Sequence, residues 1–293
     1  MSLLPNYVNT VAGWCGDLGR LLWGDGVPRN DRALARLSDR VMREVGFPCV
    51  NFARYPFGLV AVDCNDCHTY QVDDPEIVLY VKLQYHPRHP YRLTRTVPFT
   101  YVPQNAAEFL RRLPEYRSAY AAAPKTHPAW GRFIAVSLDR FHIAHAMRAL
   151  GLPGGCYVLC DKGYEDHALD PVLPRRRMPF DEYRRHMGGA RAIIDARGFG
   201  DLTHRTIESL GIGVPLIRPR LDNATRDPLV AGVHYLDCGH KGERLAECVE
   251  VVRDDRMRRA LVENGLEWFE RNCTPEAMRQ TFARVLREAG LPA

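Results

Sequence analysis

The chain contains no apolar run approaching the ~20 residues that a membrane-spanning helix requires, so no segment reads as a transmembrane span. Its opening, MSLLPNYVNT, has neither the basic lead nor the apolar core of a secretory leader, and a cytoplasmic protein is expected. Internal repeats and low-complexity segments are absent. Lysine is scarce: Lys82, Lys125, Lys162 and Lys241 aside, the 40 basic residues are all arginine. That skew suits phosphate recognition, because the planar guanidinium fork matches phosphate oxygens; codon bias in a GC-rich genome would produce it equally well. The net charge of +5 is scattered, and 175–177 is the only tight basic run, too sparse for the stripe of a general nucleic-acid binder.

Nine cysteines in a chain without an export signal read as reduced thiols filling the core. Cys64-Asn65-Asp66-Cys67-His68 has the letter pattern of c-type haem attachment, but it ends an apolar strand and lacks the exported setting of that chemistry. Cys64, Cys67, Cys156 and Cys160 have the paired spacing of a zinc site; small core fillers are the simpler account. No metal and no resident cofactor are expected.

The 293 residues suffice for two moderate cores, and 46% hydrophobic against 26% charged is the balance of a globular protein. Residues 6–23 suggest a first helix. A second, capped by Asn30 or Asp31, runs to about Val45 with Leu34, Leu37, Val41 and Met42 at helical spacing. Apolar runs at 49–53, 59–62, 77–81 and 97–102 suggest strands, 105–120 a helix, and the proline-bearing stretch 124–128 a linker. From Trp130 onward strands at 132–137, 156–160, 192–195, 214–217 and 234–236 alternate with helices at 142–150, 180–187, 203–210 and 243–252. Helices at 255–272 and 275–290 follow. Such alternation implies parallel sheets with right-handed crossovers. The expected fold is α/β, two Rossmann-like domains facing a cleft with the N-terminal one reduced. The expected limits are 1–127 and 128–274, with a closing helix at 275–293 that packs back on the first domain.

The segment 190–217, ARAIIDARGFGDLTHRTIESLGIGVPLI, carries the most chemistry. A strand enters a loop bearing Arg197, Gly198 and Gly200, and a helix starts near Asp201 or Thr203. In open parallel sheets ligands collect at such strand ends, and a helix N-terminus offers amides and partial positive charge to an anion. Arg205 and Glu208 lie three apart on one helix face, suited to phosphate and to ribose hydroxyls respectively. The same pair can be an ordinary surface ion pair.

Residues 182–215, with LVAGVHYL (229–236), ALVENGLEWFERNCTPE (260–276) and the closing helix, resemble the donor domain of GT-B-fold glycosyltransferases. The likeness is to the protein O-glucosyltransferases and capsule-modifying xylosyltransferases, and to small bacterial group 1 glycosyltransferases. It implies that Arg205 contacts the donor diphosphate and Glu208 the ribose. The acidic residue that retaining enzymes carry seven or eight positions earlier falls at Gly200 or Asp201, so the retaining signature is incomplete. The strand and turn RFIAVSLDR (132–140) would be the first of the donor domain, with Ser137 and Arg140 at its carboxyl end, where a cation neutralises the leaving pyrophosphate. Pairing with Asp139 at the surface is the plainer account of Arg140; Lys162 is a weaker candidate for the same role.

The first half resembles the family less. VAVDCNDC (60–67) and IVLYVKLQY (77–85) are reminiscent of an acidic strand end followed by a strand with a basic end. Asp63 or Asp66 would then deprotonate an acceptor hydroxyl, with inversion at the anomeric carbon; Asp66 can equally be the start of a turn. Lys82, Gln84 and His86 would line the acceptor edge. The loop-like segment 218–232 is a further candidate substrate element. The implied activity is transfer of a sugar, hexose or pentose, from a nucleotide-diphosphate donor to an acceptor hydroxyl without a metal, since no Asp-x-Asp motif is present. Two rivals share the sequence: a DNA-base-modifying glycosyltransferase, marked by a steep salt dependence, and a non-catalytic nucleotide-sugar or partner binder, which would leave labelled donors intact.

Overall fold

A computed structural model describes residues 6–8, 14–23, 32–46, 49–93, 95–103, 106–134, 137–157, 178, 180–198 and 200–293. The chain forms two compact units. Unit 1 comprises Met1–Arg111, Asp222–Pro228 and Arg271–Ala293; unit 2 comprises Arg112–Leu221 and Leu229–Glu270. No described helix is long and apolar enough to cross a membrane.

Unit 1 is built on one sheet, ordered β1 (Asn6–Val8), β2 (Val50–Tyr55), β3 (Gly58–Asp63), β4 (Ile77–Lys82) and β5 (Thr96–Pro98). The first two pairings are antiparallel and the last two parallel, so the all-parallel sheet expected from the sequence is not formed here. The cause is the turn between β2 and β3: with Tyr55 paired to Gly58, two residues connect the strands, far too few for a crossover. The expected helix over 6–23 divides into β1, which borrows its ladder from β2, and α1 (Trp14–Trp23). Along α2 (Arg32–Val45), Leu34, Leu37 and Val41 pack with Val50, Phe52, Leu59, Ala61 and Tyr80, each large apolar side chain contributing about 1.5–3 kcal/mol. Met42, expected on that face, is exposed. The last helix, α9 (Pro275–Glu288), sets Phe282 edge-on against Trp23 and Phe99.

The helix α3 (Ala106–Ala122) begins in unit 1 and ends in unit 2. The stretch 124–128 belongs to unit 2, where the Thr126 and His127 amides donate to the Gly189 carbonyl at 2.8 and 3.1 Å. Five parallel strands follow in unit 2: β6 (Gly131–Ile134), β7 (Gly154–Tyr157), β8 (Ile193–Ile194), β9 (Leu216–Arg218) and β10 (Leu236–Asp237). The pair β7-β6 joins β8-β9-β10 through a parallel bridge from Trp130 to Ile193, giving the order β7-β6-β8-β9-β10. The helices between them are α4 (Leu138–Ala149), α5 (Phe180–Gly188) and α6 (His204–Ile212), and α7 (Leu245–Arg253) and α8 (Asp255–Asn272) follow β10. Phe133, Ile143, Met147, Ile194, Ile217, Leu245, Val249 and Val252 fill the core. The strand order reverses direction between β6 and β8, and such a switch point opens a crevice at the carboxyl ends of the strands.

Candidate active site

Two segments meet at the unit 2 switch point. After β6, Ser137 caps α4; its hydroxyl accepts the Arg140 amide at 3.4 Å and donates to the Arg197 carbonyl at 3.0 Å. Arg140 Nε donates to that same carbonyl at 2.8 Å, while Nη1 donates to the Ile134 carbonyl at 2.8 Å. One guanidinium thus ties the end of β6 to the loop after β8. Its Nη2 lies over Gly198, where a Cβ would stand 2.9 Å away, so a side chain there would displace the tip of the guanidinium. Arg197 Nε lies 3.1 Å from Asp201 Oδ1, and its Nη2 donates to the Arg220 carbonyl.

The second half of the corner is organised around Asp195, which follows β8 and is fully buried. Thr203, the cap of α6, donates to its Oδ2 at 2.6 Å and Thr206 does so at 2.7 Å. Arg205 Nη1 donates to Oδ1 at 3.2 Å, and Arg205 Nε donates to the Tyr183 hydroxyl at 2.5 Å. The Arg205 side chain keeps 19% exposure, and Nη2 has no hydrogen-bond partner among the described residues. Burial would raise the Asp195 carboxyl, but Arg205, Arg218 and the two hydroxyls outweigh it and hold the group below its ordinary value. Burial pushes the Tyr183 phenol up to about 12, against the opposing pull of Arg205. Gly200, Asp201 and Glu208 are buried. Glu208, 7% exposed, acts electrostatically on Arg205 and Tyr183, a poor setting for a ribose ligand.

In unit 1 the two candidate carboxylates have different surroundings. Asp63 is fully buried: its Oδ2 accepts from Lys82 Nζ at 2.6 Å and from the Tyr80 hydroxyl at 2.7 Å, and its Oδ1 from the Asn65 amide at 2.7 Å. Closed off and ion-paired, Asp63 is no place for an acceptor proton. Asp66 lies half-buried in a bend and accepts from the Tyr101 hydroxyl at 2.9 Å. Lys82 and Gln84 have no exposed surface, which removes both from direct acceptor contact; Gln84 Oε1 accepts from Asn223 Nδ2 at 2.6 Å. Of the three expected there, His86 is half-exposed, its ring 5.1 Å from that of His68.

No family model matches the chain, and no curated protein matches it in sequence. Among solved structures, HepE of Anabaena in complex with UDP-glucose superposes with a TM-score of 0.50 at 12% identity, over 73% of this chain and 65% of that one. The fold is that of the GT-B glycosyltransferases. A glycosyltransferase from Rickettsia africae (TM-score 0.47, 10% identity, 72% of this chain and 63% of that) and sucrose-phosphate synthase from Thermosynechococcus elongatus (0.44, 13%, 66% and 52%) align more loosely. The chain spans less than two thirds of the length of each of these proteins.

In this GT-B chain Ser137, Arg140, Arg197 and Gly198 come together as one group, and Asp195, Asp201, Thr203, Arg205 and Glu208 as its neighbour. Lys162 lies outside the described residues, as does Cys160 of the considered zinc set. Among the described residues no group of His, Cys, Asp and Glu could hold a metal ion. Two members of the corner were not singled out from the sequence: Asp195, which ends an apolar strand, and Arg218. The latter is fully buried, with Nη1 donating to Thr206 Oγ at 2.5 Å and Nη2 to the Asp201 carbonyl at 2.6 Å. Its only signal in the sequence is a basic residue closing the run VPLI.

Proposed function

We propose that the chain is a glycosyltransferase that moves a sugar from a nucleoside-diphosphate donor to an acceptor hydroxyl, with no metal or resident cofactor. The observation that carries this reading is the convergence of Arg140, Gly198 and the two capped helix N-termini at the switch point of a parallel sheet. Arg205 is held on two of its nitrogens and offers the third, a prepared donor for charge that grows on a leaving diphosphate. Asp66 takes the acceptor proton as the acceptor oxygen bonds to the anomeric carbon and the bond to the diphosphate breaks, with inversion. Tyr101 holds the base through one oxygen.

UDP-sugars, one of which HepE binds, are the donors to test first. Incubation with radiolabelled UDP-sugars should release labelled sugar slowly, and EDTA should leave the rate unchanged. Arg140→Ala should lower kcat/KM roughly 100-fold, the scale of losing one preorganised donor to developing charge. A panel of nucleotide sugars that neither raises the melting temperature nor is hydrolysed would overturn the assignment. A reducing compartment such as the cytoplasm is proposed for the chain.

A further inference from the structure

Arg218 is fully buried at the end of β9, and its nitrogens reach Thr206, Asp201 and the Pro219 carbonyl. Its Nη1 is 3.9 Å from Asp195 Oδ2, and the Thr206 hydroxyl bridges the two by accepting from Arg218 at 2.5 Å and donating to Asp195 at 2.7 Å. Asp195 therefore sits between two guanidiniums, Arg218 beneath Oδ2 and Arg205 on Oδ1. We propose that Arg218 is a positioning residue that neutralises Asp195 from within the fold, so that the charge of Arg205 remains unspent for the donor diphosphate. The proposal rests on the glycosyltransferase reading above and extends it to a fully buried residue.

The charges of the corner bear this out. Among the described residues, Arg205 and Arg218 are the two cations that act on Asp195, and without Arg218 a single guanidinium would face its charge. Asp195 would then hold Arg205 as its one remaining cation, and a phosphate would have to compete with a buried carboxylate for it. Uncharged contacts do not replace the missing charge, because the Thr203 and Thr206 hydroxyls already serve Oδ2.

The test is a charge cycle read by calorimetric titration with UDP and with inorganic pyrophosphate. Arg218→Met should weaken UDP binding roughly tenfold, the scale of one charge-assisted hydrogen bond. Asp195→Asn should strengthen it, and the double variant should return near the wild-type affinity. A purely structural strut predicts the reverse for the last two: Asp195→Asn weakens binding, and the double variant is worse than either single one. Either of those results overturns the proposal. Should Arg218→Met fail to fold, the sign of the Asp195→Asn effect decides alone. Wild-type protein that binds neither probe rejects the glycosyltransferase reading itself, whereas binding without the predicted order of variants rejects only the role of Arg218.

Discussion

At the scale of single residues, Asp195 carries opposed duties. Its folded carboxyl is held below the ordinary value, with burial opposing and Arg205 and Arg218 prevailing. A carboxylate depressed in this way contributes stability that is complete above its unfolded pKa of about 4 and is lost as pH falls through the lower folded value. Acid unfolding followed by circular dichroism should therefore steepen below about pH 4, and Asp195→Asn should flatten that limb. The two carboxylates of unit 1 give a sharper contrast. Asp63→Asn strands the Lys82 ammonium in a site without exposed surface, and should cost about 3–5 kcal/mol in a denaturant titration. Asp66→Asn should fold like the wild type and lose roughly 100-fold or more in transfer rate. The sequence could not rank these two, because both follow the same apolar strand, three residues apart. What separates them is the partner across the ladder, Lys82 opposite Asp63.

Among the elements, α6 was read from the sequence at 203–210, and it spans His204–Ile212. Thr203 caps it, and Gly213 ends it in the left-handed region at φ 85°, the two signals that a single sequence displays best. Thr203→Ala removes both that cap and a hydrogen bond to Asp195, and should cost about 1–2 kcal/mol by thermal melting. The alternation beyond Trp130 was equally plain, since buried parallel strands read as short apolar runs between helices. The strand β1 was not legible: a three-residue edge acquires its conformation from β2, a partner remote in sequence, and nothing in its own periodicity announces that. Nor was the approach of β6 to β7, where a Cβ on Gly154 would stand 1.9 Å from the Gly131 carbonyl oxygen at a φ of 111°. Arg218 escaped notice for a related reason, since an arginine that closes a buried strand looks the same in sequence as one that marks a solvent-exposed end.

For the whole molecule, the telling fact is that unit 1 is assembled from three separate stretches of chain, the last of them Arg271–Ala293. Phe282 in that stretch meets Trp23 and Phe99, and Arg226 pairs with Glu288, so the segment is part of the core rather than an appendage. Deleting 275–293 should expose unit 1 to limited proteolysis while α6 and α8 of unit 2 stay protected from amide exchange. During synthesis, residues 112–270 leave the ribosome before the helix that completes the earlier unit has been made. The half that is translated first is therefore finished last, and until α9 emerges the apolar rings it packs against, Trp23 and Phe99, are a surface for chaperones to cover.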